Sequence, residues 1–164
     1  MKSARHFASL VSNDWKFARR IFPIIGTLLL AAGAAAADKP NDDPQSRIAK
    51  AEAGPATIDV SSYPAPMQAK YKIFAEKCAQ CHKLSRPINS DFVLPGEWER
   101  YIKRMMYKPD ASFDKAEAKQ IFEFLAYDSS VRKKDAYEKK LATLSAEDRK
   151  AAVEKIKEIV EKNK

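Results

Sequence analysis

The residues whose types and spacing could do chemistry are Cys78-Ala79-Gln80-Cys81-His82. C-x-x-C-H is the attachment signature of a c-type haem, and each residue type in it has a task. Thiols three residues apart lie about one helical turn from each other, placed to form thioethers with the two vinyl groups of one haem. The histidine that follows is then set to give a ring nitrogen to the iron as proximal ligand. No other cysteine occurs in the 164 residues, and His82 is the only histidine beyond the first forty.

Three rival readings explain less. A structural zinc site needs four protein ligands, and no further Cys or His follows the motif. A thioredoxin-like redox pair needs a neighbouring βαβ pattern, and no strand-like run precedes Cys78. A disulfide would leave the adjacent histidine without a role. The expected cofactor is therefore one covalent haem c with its iron, held by Cys78, Cys81 and His82.

With His82 used, the sixth iron position falls to a methionine, to an unusual ligand, or stays open. Beyond the leader the chain holds Met67, Met105 and Met106. Met67 lies on the helix that leads into the motif and reads as core. Met105 continues the face of Trp98 and Ile102, whereas Met106 lies about 100° further round. Met105 is the preferred distal ligand and Met106 the second choice; both could also be gap-filling core residues.

The elements that must position these groups are helical. Pro66 suits a first helical position, and Met67, Tyr71, Phe74 and Cys78 then share one face. Residues 83–93 are too polar and interrupted for an element. A carbonyl near Pro87 is the expected acceptor for the second ring nitrogen of His82, and Arg86 is a possible propionate partner. Pro95 opens a second helix to about Tyr107. Asp114 with Glu117 forms a capping box for a third, with Ala118, Ile121, Phe122 and Leu125 on one face. This gives a small all-α domain over residues 63–128, where a covalent macrocycle would supply much of the core that so few residues cannot.

Ahead of the domain, Met1–Arg20 is basic and Ile21–Ala36 apolar. Ala35-Ala36-Ala37 fits a cleavage site, so residues 1–37 read as an export signal and the location as periplasmic. An uncleaved membrane anchor is the alternative, although the run is shorter than the roughly 20 residues that span a bilayer. Residues 38–62 show no sustained period and read as a flexible linker. Formal net charge is +8, and removing the leader's +4 leaves +4. That mild excess gives no case for nucleic acid and weak support for an acidic partner. Residues 129–164 carry eleven Lys/Arg against seven Asp/Glu. They read as a basic helical extension, a hairpin hinged at the Ser145 cap. The extension packs on itself or on the domain, or docks a partner protein or an anionic membrane face.

On Cys78–Leu84, Glu97–Met105 and Glu117–Leu125, the chain resembles small monohaem class I cytochromes c. The branch in question has a C-x-x-C-H-x-L segment, a W-E…R-M helix and an E-A…I…L closing helix. The resemblance implies a cytochrome c fold, with first and last core helices crossing and three core helices around the haem. It also implies the methionine after Arg104, Met105, as distal ligand. The expected function is one-electron transfer between exported or membrane redox proteins, with no residue acting on a substrate. Lys77, Lys83 and Arg86 would steer an acidic redox partner. The alternatives are a haem subunit of a larger oxidoreductase and a five-coordinate sensor or gas-binding protein.

Overall fold

The computed structural model describes residues 43–164, which form seven α-helices and no strand. They are α1 (Pro44–Glu52), α2 (Ala65–Cys78), α3 (Ser85–Ile88), α4 (Pro95–Met106), α5 (Lys115–Arg132), α6 (Lys134–Ala142) and α7 (Ala146–Lys162). The all-α expectation holds for this part of the chain. The expected signal segment lies outside the described residues. Among those described, no helix is long and apolar enough to cross a membrane.

The helix starts follow local chemistry. α2 has proline in its first turn. Asp114 accepts from the Glu117 amide while Glu117 accepts from the Asp114 amide, so α5 has the expected reciprocal cap. At α4 only half of such a cap exists, because Leu94 has no side-chain acceptor. Glu97 Oε2 takes both the Val93 and Leu94 N–H groups at 2.9 Å. Ser145 caps α7 through the Asp148 amide.

The core lies where α2 and α4 pack on α5. Phe74 of α2 and Phe124 of α5 are fully buried, with rings stacked at 5.4 Å. Tyr71 adds a ring 5.3 Å from Phe124. From α4, Trp98 and Ile102 are buried with Ile121 and Leu125 of α5. Met67 is wholly buried, as its face required.

Three sequence expectations need correction. Residues 43–62 are not a free linker. Asp43 caps α1, Asn89 donates to the carbonyls of Ala51 and Pro55, and Tyr71 Oη accepts from the buried Ile58 amide. The partners lie 13 to 38 residues away in sequence, so no local pattern announces them. Gly54 is part of this docking, since a Cβ there would meet the Asn89 side chain at 2.5 Å.

Residues 83–93 do contain an element, the single turn α3, held by Ser85 Oγ on the Glu52 carbonyl. The boundary at 128 also fails, because α5 runs unbroken to Arg132. Asp128 and Ser129, at that boundary, are both buried and paired. Tyr63 Oη donates to Asp128 at 2.9 Å, and Trp98 Nε1 donates to Ser129 Oγ at 2.9 Å. The extension forms two helices, α6 and α7, joined at the Ser145 cap, and α7 lies against α4 and α5 with Ile159 buried.

Candidate functional site

Cys78 is the last residue of α2, and Cys81 and His82 follow in the turn that leads to α3. α2 is fixed by its aromatic face on α5 and α3 by its bonds to α1, so the pentapeptide is held at both ends. The two cysteines are unbridged, Cys78 partly buried and Cys81 exposed. Burial, with Cys81 nearby, pushes the Cys78 thiol up to about 12. A thiol kept protonated is not an attacking thiolate, which weighs against a redox or nucleophilic role for Cys78.

His82 Nδ1 lies 3.1 Å from the Lys83 carbonyl. The acceptor is thus Lys83, not a carbonyl near Pro87; the Pro87 oxygen takes the amide and hydroxyl of Ser90 instead. His82 Nε2 faces Tyr101 Oη of α4 at 3.3 Å. Tyr101 is buried, and that burial pushes its phenol up to about 12. Sequence reading assigned Tyr101 no role. Its position one turn before Met105 was the available signal.

A cavity of about 40 Å³ is lined by Cys78, Cys81, His82 and Met105, closed by Lys77 and by Lys108 with Ala111–Phe113. Met106 is not among its walls. It lines a separate groove with Ile102, Phe122 and Lys155. On the other side of Cys81 and His82 an open cleft of about 610 Å³ runs along Glu52, Gly54 and Leu84.

The donor chemistry fits a c-type haem: two thiols, an imidazole with one nitrogen engaged by a carbonyl, and a thioether on one cavity. The space fits about one water. A macrocycle at these donors therefore requires Tyr101, which meets His82 Nε2, and the cavity walls at Lys108 and Ala111–Phe113 to move outward. Among the described residues no three His, Cys, Asp or Glu side chains gather as a metal-holding group, so the four-ligand zinc alternative gains nothing.

Two of the three expected steering residues are engaged internally. Arg86 binds Glu52, with Nε on Oε1 at 2.7 Å, and is no free propionate partner. Lys77 pairs with Glu117 at 3.1 Å. Lys83 is exposed.

Comparison of the chain with protein families, with characterised proteins and with solved structures finds no match in any of the three.

Proposed function

We propose that this chain is an exported electron carrier with one covalent haem c. Cys78 and Cys81 supply the thioethers, His82 is the proximal ligand and Met105 the distal one. The observation that carries the reading is the convergence of these four side chains on one cavity from two separate segments. When bound, the haem would supply the one-electron chemistry, and methionine ligation would favour its reduced state.

The chain's own residues bind and shield. The Lys83 carbonyl holds the imidazole in one orientation. Met105 is delivered by a helix locked into the core through Trp98 and Ile102 on the same face. α2 and α5, the first and last helices of the haem domain, meet at Phe74 and Phe124, which supports the cytochrome c fold as the finer assignment. The expected partners are redox proteins that approach the exposed Cys81 side of the motif.

A pyridine haemochrome spectrum with intact mass on the exported protein tests this. A mass gain of one haem and a thioether-type spectrum are expected. Colourless protein from a host equipped for cytochrome maturation would refute the proposal.

A further inference from the structure

The segment between α3 and α4 has no regular structure, yet its ends are buried at Ile88 and Val93. Its backbone groups must therefore find partners. They find them on the α5–α6 junction. Arg132 Nη2 donates to the Ile88 carbonyl at 3.1 Å, and Lys140 Nζ to that of Asp91 at 2.6 Å. Lys133 Nζ reaches two carbonyls, Ser90 at 2.7 Å and Phe92 at 3.4 Å.

Lys133 differs from the other two cations. Arg132 is paired with Asp128 and Lys140 with Glu97. Among the described residues Lys133 makes no ion pair; its ammonium has only carbonyls and the face of Trp98, 5.6 Å from the ring centroid. A buried ammonium is costly unless such contacts hold it. Burial, and then the charge of Arg132, accordingly lower Lys133 to about 8.

The segment it holds carries Phe92, whose ring lies 5.6 Å from both Trp98 and Tyr101. Trp98 and Tyr101 are themselves edge to face at 5.7 Å, and Tyr101 meets His82.

We propose that Lys133 is a positioning residue for the His82 site, acting through the segment 88–92 and the Phe92–Trp98–Tyr101 cluster. The basic extension then acts within its own chain. Arg149, likewise, donates to the carbonyls of Leu141, Ala142 and Leu144, and Lys162 pairs with Glu123. The last link, from Tyr101 to a haem ligand, rests on the proposed function; the hold on the segment does not.

The test is amide hydrogen exchange on the full exported chain, comparing Lys133→Met, which removes the donors, with Lys133→Arg, which keeps them. Protection of the amides of residues 89–94 should fall about ten-fold in the Met variant and largely recover in the Arg variant. Should Lys133→Met fail to fold, Lys133→Gln takes its place. In haem-loaded protein the Met variant should also shift the midpoint potential, with the Arg variant closer to wild type. If the protein carries no haem, the ring resonance of His82 replaces the potential as readout. Unchanged protection overturns the proposal. So does lost protection with neither the potential nor the His82 resonance moved, since that would make Lys133 merely structural. Absence of haem sinks the electron-carrier reading alone.

Discussion

Replacing Glu123 with glutamine should cost about 3 kcal/mol of stability. Glu123 is the carboxylate on which α2, α5 and α7 meet, its side chain only 5% exposed. Its Oε1 accepts from Lys162 at 2.6 Å. Its Oε2 lies 3.3 Å from Lys70 Nζ, whose side chain is 11% exposed. Oε2 is otherwise without a hydrogen bond, so its contact with Lys70 is one of charge rather than direction. Lys70 also donates to Asn163, the buried residue that ends α7.

Removing one partner of a buried pair costs about 3–5 kcal/mol, because the other charge is stranded. Here Lys162, half exposed, rehydrates freely, and Lys70 keeps Asn163, which places the loss at the lower end. Urea unfolding at pH 7 measures it. Lys70→Met with Glu123→Leu should recover part of that loss, since both buried charges go and only the Asn163 side-chain oxygen loses its donor. A cost below about 1 kcal/mol for Glu123→Gln, or a double variant no better than the single, would refute the reasoning. The acid limb gives a second check. Burial raises Glu123, but Lys162 and Lys70 outweigh it and the carboxyl ends below its usual 4.5. Its contribution is therefore complete above pH 4.5 and lost as pH falls through the lowered native value. Glu123→Gln should lack that part of the loss.

Met105→Leu should abolish the weak red-region sulfur–iron band of the ferric protein and admit carbon monoxide to the ferrous form, while Met106→Leu leaves both as in wild type. Ready carbon monoxide binding by the wild type would instead favour an open sixth position. Ser129→Ala should cost about 1–3 kcal/mol in urea unfolding, because it strands the buried Trp98 N–H. Lys133 sits at about 8 in the folded chain against 10.5 ordinarily. The unfolded chain thus binds more protons above pH 8, and this residue's contribution becomes more favourable as pH rises. The charged groups that face it are Arg132, Asp128, Asp91 and Lys140. Urea midpoints should gain between pH 8 and 9 relative to Lys133→Met. The raised phenols of Tyr63 and Tyr101 are common to both chains and cancel in this difference. A wild type parallel to the variant from pH 7 to 9 would contradict this.

The C-x-x-C-H motif, the all-helical class and the caps at Asp114 and Ser145 were determined by sequence alone, because each depends on residues within a turn or two of one another. The faces of α2, α4 and α5 were legible for the same reason: 3.6-residue periodicity is a local property. What only the tertiary structure decided involves partners far apart in the chain. Pro44–Glu52 is helical because it docks on α3, and Asp128 and Ser129 stay inside α5 because Tyr63 and Trp98 satisfy them. Spacing could favour Met105 over Met106 but not place either one. Which of two adjacent side chains shares a cavity with His82 depends on how α4 is rolled against α5, and that roll is set by Trp98 and Ile102 in the core. What the cations of the basic extension bind was not legible, since carbonyl acceptors leave no mark in sequence.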